Sequence, residues 1–233
     1  MQRTAHDILD EPAPPADERV AYGEHPLHVA DLRRAGDAAP LALILHGGVW
    51  KAEYDLEHLG ALCEALRASG SSTVNVEYRR VGNGGGWPFS LADVVLAVER
   101  FRPDVLVGHS AGGHLALLAA KKTRTPVVAV AAVSDPHRWD NRGVEAFFRG
   151  APPDAGSPLR ELPLGAPAVL VHGTRDDTVP FEHSQRFVEA AGPEARLVAL
   201  EGAGHFEPVD PQSAEWTAVR DAVDFLCGRS SSS

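Results

Sequence analysis

The run from Asp104 to Ala120 constrains this chain more than any other stretch. Three apolar residues, Val105, Leu106 and Val107, lead into Gly108-His109-Ser110-Ala111-Gly112-Gly113, and an apolar run from His114 to Ala120 follows. The pattern predicts a strand, a tight turn and a helix. In G-x-S-x-G the central serine takes strained backbone angles, and the glycines two before and two after it leave room where a Cβ would strike a neighbouring strand or helix. Ser110 is therefore expected to project from the end of a sheet strand. The same turn aims the first N–H groups of the helix, chiefly that of Ala111, at the point where negative charge develops on an attacked carbonyl. So short a motif needs its setting to carry weight, and the flanking strand and helix supply it. The bland alternative is a small-residue turn between a buried strand and a buried helix.

The rest of the chain keeps the same rhythm. Leu41 to Leu45 is a continuous apolar run, as expected of a strand covered on both faces, and it ends in His46-Gly47-Gly48-Val49-Trp50. A helix is expected from Leu56 to Ala68, with Leu59, Leu62, Cys63 and Leu66 at helical spacing and Gly70 ending it. Ser72 to Tyr78 reads as the next strand. The glycine-rich loop from Gly82 to Trp87 and Pro88 lacks a G-K-[ST] ending and is read as a flexible surface loop. Ser90-Leu91-Ala92-Asp93 resembles a capping box with Asp in place of Glu, opening a helix through Phe101. Strands are expected at Pro126 to Val133, Ala168 to His172 and Ala195 to Leu200, and helices at Pro180 to Ala191 and Pro211 to Leu226. Near the amino end, Glu18 to Gly23 and Pro26 to Leu32 form a candidate hairpin.

Strands alternating with helices predict an α/β fold: a mostly parallel central sheet with helices on both faces. Functional loops then belong at the carboxyl ends of the strands. The segment from Ser134 to Ala166 breaks the alternation with five prolines, four glycines, Trp139, Phe147 and Phe148. Residues 135–166 are read as a short lid between strands. Residues 1–17 are expected to be a flexible amino-terminal segment, 18–228 one domain, and 229–233 a disordered tail.

Composition closes off other classes. The formal net charge of −10 argues against nucleic acid, which needs clustered Lys and Arg. No run reaches the roughly eighteen apolar residues of a membrane span, so no membrane association is expected. The opening residues carry several acids and prolines and no apolar signal core, which places the chain in the cytoplasm by default. Cys63 and Cys227 lack the spacing of a zinc site or redox pair and read as reduced thiols. No metal and no cofactor are implied, and oligomeric state is not legible.

A serine nucleophile needs a base to take its proton and an acid to fix the base's tautomer. The strand after the proposed lid ends in His172-Gly173-Thr174-Arg175-Asp176-Asp177, which sets two carboxylates just past a strand end. The next strand leads to Gly202-Ala203-Gly204-His205-Phe206, where His205 stands on a glycine-rich loop. Glycines after Leu45 let the backbone approach a substrate, so the N–H groups of Gly48 and Val49 can join that of Ala111 in an oxyanion hole. His46 and His172, each ending a strand before glycine, are read as buried rings hydrogen-bonded beneath their loops. His109 and His114 pack beside the serine or line the site. Trp50, Trp87, Trp139 and Phe206 are read either as walls of a substrate pocket or as ordinary core.

The span from Leu41 to Leu226 resembles an α/β-hydrolase, whose chain order is likewise Ser, Asp, His. His46-Gly47-Gly48-Val49-Trp50 together with Gly108-His109-Ser110-Ala111-Gly112-Gly113-His114 resembles the esterase and arylformamidase (kynurenine formamidase-like) branch. There the H-G-G-x-W segment supplies oxyanion N–H groups. In the related lipase motif a third glycine stands at the place of Val49, which leaves open which N–H groups contribute. His172 to Pro180 is similar to H-G-x-x-D-x-x-V-P, whose Asp is the triad acid, and that register selects Asp176 with Asp177 as the alternative. The resemblance implies Ser110 as nucleophile, His205 as base and Asp176 as acid. The expected substrate is a small carboxylic ester, with a formamide-type amide or a short peptide as alternatives. A binding module on a hydrolase scaffold is the reading from a different class.

Overall fold

Strand β3 (Leu41–Leu45) shows why helices cover both faces of the sheet. Side chains alternate along a strand, so Leu43 and Leu45 pack on one side with Val94, Leu115 and Phe187, while Ala42 and Ile44 pack on the other with Leu62, Leu66 and Val223. The computed structural model describes residues 5–152 and 154–229. Eight strands form one sheet in the order β1-β2-β4-β3-β5-β6-β7-β8. They are β1 (Glu18–Ala21), β2 (Val29–Arg33), β3, β4 (Ser72–Val76), β5 (Val105–His109), β6 (Val127–Val130), β7 (Ala168–Gly173) and β8 (Ala195–Leu200). β1 and β2 form an antiparallel hairpin, β2 pairs antiparallel with β4, and every pair from β4 to β8 is parallel.

Helices α2 (Gly60–Ala68) and α7 (Thr217–Leu226) cover one face; α3 (Phe89–Phe101), α4 (Ala111–Thr123) and α6 (Glu182–Ala191) cover the other. Two short helices, α1 (Ala5–Leu9) and α5 (Arg142–Phe147), lie outside the alternation. After β3 the chain adds β4 on one side and then returns to place β5 on the other. The ends of β3 and β5 therefore border the switch point where α/β sheets open a crevice. None of the described helices is long and apolar enough to cross a membrane.

The alternation matches the sequence expectation, with local differences. The expected helix from Leu56 begins as a 3-10 turn, Leu56–Leu59, capped by the Asp55 side chain, and becomes α-helical at Gly60. α7 begins at Thr217, six residues after Pro211. The capping box does not form. Ser90 lies inside the first turn of α3, accepting from the Gly86 N–H at 3.0 Å and donating to the Arg79 carbonyl at 2.6 Å. Asp93 is held by the Arg79 guanidinium at 2.5 and 2.8 Å, a stronger partner than a helix N–H, and lies 2.9 Å from His28 Nε2. Residues expected to be a flexible amino-terminal segment include helix α1, with Ile8 buried. Of the expected tail 229–233, Arg229 is held by Asp224 and by the Gly70 carbonyl, and residues 230–233 lie outside the described residues.

Candidate active site

Ser110 sits between β5 and α4 with φ 56° and ψ −119°, a left-handed conformation that costs roughly 1–3 kcal/mol for a residue with a Cβ. The surroundings enforce it. The Ser110 N–H donates to the Val130 carbonyl at 2.8 Å, tying the turn to β6. A Cβ at Gly108 would lie 2.4 Å from the Gly112 carbonyl oxygen, and one at Gly112 would lie 2.2 Å from the Leu45 carbonyl oxygen. Both glycines are thus required by backbone-to-backbone contact. Ala111 opens α4, so its N–H has no partner within the helix.

The carboxylate of Asp176 lies on the loop after β7 and is fully buried. One oxygen, Oδ1, accepts the N–H groups of Thr178 and Val179, each at 2.8 Å. The other, Oδ2, accepts from His205 Nδ1 at 2.7 Å and from His172 Nε2 at 3.0 Å. Burial pushes this carboxyl up, but the hydrogen bonds from His172 and then His205 outweigh it and hold the group well below the usual carboxylate range. Asp177, the alternative acid, is exposed and accepts from the Thr178 hydroxyl.

With Nδ1 donating to Asp176, the neutral His205 ring carries its lone pair on Nε2. Among the described residues none hydrogen-bonds that nitrogen. The ring is held from its own backbone as well: His109 Nε2 donates to the His205 carbonyl at 3.0 Å, and the two rings stand 4.6 Å apart. Burial, and next the charge of His205, push His109 well below its ordinary range, so it stays a neutral donor. His172 has no free nitrogen. Its Nε2 is also 3.0 Å from the Val179 carbonyl, which can only accept, so Nε2 carries the hydrogen and Nδ1 accepts from the Ser184 hydroxyl at 2.7 Å.

The loop after β3 is bound from beneath. Tyr78 donates its hydroxyl to the His46 carbonyl at 2.7 Å, and His46 is fully buried with Nδ1 2.9 Å from the Gly47 carbonyl and Nε2 3.3 Å from Glu77. Gly48, Val49 and Trp50 follow with φ of 96°, 52° and 57°. Three successive left-handed residues turn this backbone sharply where it faces the elbow. A Cβ at Gly47 would lie 3.0 Å from the Ser110 Cβ, which measures how closely the two loops approach.

A cavity of about 160 Å³ collects these groups. Gly47, Gly48, Val49, Ser110, His109 and His205 line it from the strand ends, and Leu9, Tyr54, His58, Leu59, Thr178 and Phe206 line the remainder. An imidazole anchored at Nδ1 and free at Nε2, in one cavity with a serine and unspent backbone donors, can take up and return a proton while a carbonyl is attacked.

His109 and Phe206 thus lie on the cavity, whereas the tryptophans do not. Trp50 is fully buried and stacks on Phe147 at 4.7 Å between ring centres. Trp87 packs against Phe148, and Trp139 lines a separate groove of about 580 Å³. Among the described residues, none of the segment 135–166 lines the Ser110 cavity. Its Phe147 and Phe148 are buried in the core around Trp50 and His114, because that interior offers rings to stack on. Sequence reasoning missed Leu9, Tyr54, His58 and the link from His172 to Asp176. For His172 and Asp176 the signal was present, two polar residues four apart across a strand end; for Leu9 there was none. His58 is pushed down to about 4 by burial and then by the neighbouring His46.

Comparison with known proteins agrees with this fold. The chain is 27% identical to Esterase LipC of Mycobacterium tuberculosis over 80% of its own length, and it spans 59% of the length of that relative. Among solved structures, a truncated carbohydrate esterase from gut microbiota superposes with a TM-score of 0.78 at 18% identity, covering 92% of this chain and 99% of the other. The apo form of Thermogutta terrifontis esterase 2 gives 0.77 at 22% identity, with 92% and 95% covered. At these identities the superpositions speak for the fold. Residues 105–231 match the model of the prolyl oligopeptidase family, and residues 42–167 match that of the alpha/beta hydrolase family. The chain belongs to the alpha/beta hydrolase family.

Proposed function

We propose that this chain is a serine hydrolase that cleaves small carboxylic esters through an acyl-enzyme. The 2.7 Å bond from His205 Nδ1 to Asp176 Oδ2, made by loops that open on the same cavity as Ser110, carries this reading. Ser110 Oγ attacks the ester carbonyl carbon while His205 Nε2 takes its proton, and Asp176 steadies the imidazolium. The oxygen that becomes negative is met by the Ala111 N–H and by those of Gly48 and Val49; losing one such donor costs about 10²- to 10³-fold. The imidazolium then protonates the departing alkoxide. In the second half Nε2 takes a proton from water, which attacks the acyl-Ser110 carbonyl and releases the carboxylic acid and free serine.

The volume narrows the substrate class. A cavity of roughly 150 Å³ is filled by benzene, so the 160 Å³ here suits an acyl group of a few carbons or a single ring. Turnover of p-nitrophenyl acetate or butyrate that disappears in Ser110→Ala supports the proposal; turnover undiminished by that change sinks it.

The match to the prolyl oligopeptidase family over residues 105–231 favours a short-peptide substrate as the second reading. Peptide p-nitroanilides offered beside the esters separate the two. A formamide would use the same groups, and strong preference for N-formylkynurenine over both would assign the arylformamidase-like activity.

A further inference from the structure

Leu9 belongs to two spaces at once. It lines the cavity that holds Ser110 and His205, and it lines a neighbouring hollow of about 710 Å³ beneath the segment from Leu9 to Ala16. Among the described residues it is the one side chain shared by the two linings. The 3-10 turn Leu56–Leu59 divides in the same way, with Leu56 and Glu57 facing the hollow and His58 and Leu59 facing the cavity. Leu9 and the turn Leu56–Leu59 thus border both a space of single-ring size and one more than four times larger.

The hollow also has a polar side. Arg33 is 96% buried and donates from Nη2 to the Pro14 carbonyl at 2.9 Å, yet its Nε and Nη1 have no hydrogen-bond partner among the described residues. Glu64 lies 3.9 Å from that Nε, beyond hydrogen-bonding distance. Asn75 Oδ1 is likewise buried without a partner. The contacts that hold the segment above include Ile8 in the core, Arg33 to Pro14, and Gln212 to Glu11 at 2.6 and 2.8 Å. Leu9, only partly buried and the last residue of a five-residue helix, is the side chain on which the two linings meet among the described residues.

Building on the ester-hydrolase reading, we propose that Leu9 is the specificity-determining residue that limits acyl length, by partitioning the Ser110 cavity from the hollow lined by Arg33 and Asn75. Truncating it joins the two spaces and admits the tail of a longer acyl chain. Enlarging it shortens the cavity further.

The test is the ratio of kcat/KM for p-nitrophenyl octanoate to that for p-nitrophenyl acetate, in the wild type, Leu9→Ala and Leu9→Phe. Fit of apolar groups in a pocket discriminates by about 10- to 200-fold, so Leu9→Ala is expected to raise the ratio by about tenfold or more. Leu9→Phe should lower it. A ratio within about twofold of wild type in both variants overturns the partition while leaving the hydrolase reading intact. Binding of decanoate by calorimetry in a Ser110→Ala background gives a second readout that needs no turnover. Tighter decanoate binding when Leu9→Ala is added supports the partition even if no ester is cleaved, and unchanged binding rejects it. Failure of every ester in the wild type would count against the hydrolase reading alone.

Discussion

The end of β7 and the loop after β8 each present an imidazole to the same oxygen of Asp176, at 3.0 and 2.7 Å. The two rings are alike in burial and in partner, and they differ in what their second nitrogen does. His172 spends it on the Ser184 hydroxyl, in a site with no exposed surface. His205 leaves it unspent among the described residues, on a ring that lines the cavity with Ser110. On the proposed mechanism, distance to the carboxylate does not separate a reacting base from a structural prop; the free nitrogen does. In the proposed function His172 is then a positioning residue, which keeps the carboxylate anionic and oriented for the other ring.

That contrast can be broken by mutation. The largest effect is expected for His205→Ala, a loss of roughly 10⁴- to 10⁶-fold in kcat for p-nitrophenyl butyrate, with His172→Ala falling far short of it. Equal losses would erase the distinction between the rings. Asp176→Asn removes what both imidazoles share, and the wrong tautomer at His205 should cost on the order of 10⁴-fold in kcat, with the protein still folded by circular dichroism.

His172→Leu, which has no donor to offer Asp176, sharpens the comparison. Losing one hydrogen bond to a charged group corresponds to about 1.5–3 kcal/mol, or roughly 10- to 100-fold, and it should fall on kcat with KM little changed. It carries a pH signature too. Asp176 is held below its ordinary value of 3.8 in the folded chain, so its ionised form contributes stability above that pH, and the contribution is lost as the pH falls through the folded value. Removing His172 raises the folded value and shrinks the contribution. The variant should melt below the wild type at neutral pH, and the gap should narrow as acid protonates the carboxyl in both. A gap independent of pH would mean that His172 only fills space. The smallest effect belongs to Ser184→Ala, which frees His172 Nδ1 at one remove from the carboxylate. A change of about two- to fivefold in kcat is expected, since a neutral hydrogen bond is worth about 1 kcal/mol.

Much of this arrangement was legible because it is written in local patterns. Alternating apolar runs gave the strands, and the glycines around Ser110 announced a turn whose steric need is visible in the contacts of Gly108 and Gly112. Asp176 and His205 each follow a strand end, so the topology alone delivers them to one rim. What escaped depends on contacts between distant segments. Leu9 and Ser110 are brought together by a chain path that no periodicity reports, and the aromatic residues of 135–166 look alike in sequence whether they close a pocket or, as Phe147 and Phe148 do, fill a core. The capping-box pattern misled for a related reason: a guanidinium from β4's trailing loop claimed Asp93.

The contact of Gly112 with the Leu45 carbonyl, and the bond from Ser110 to Val130, join the serine turn to the strands on either side of it. The turn cannot relax alone; it can change shape only if β3, β5 and β6 come apart together. Heating should therefore silence this protein in step with the melting of its sheet, without an earlier phase in which a well-folded but inactive form accumulates.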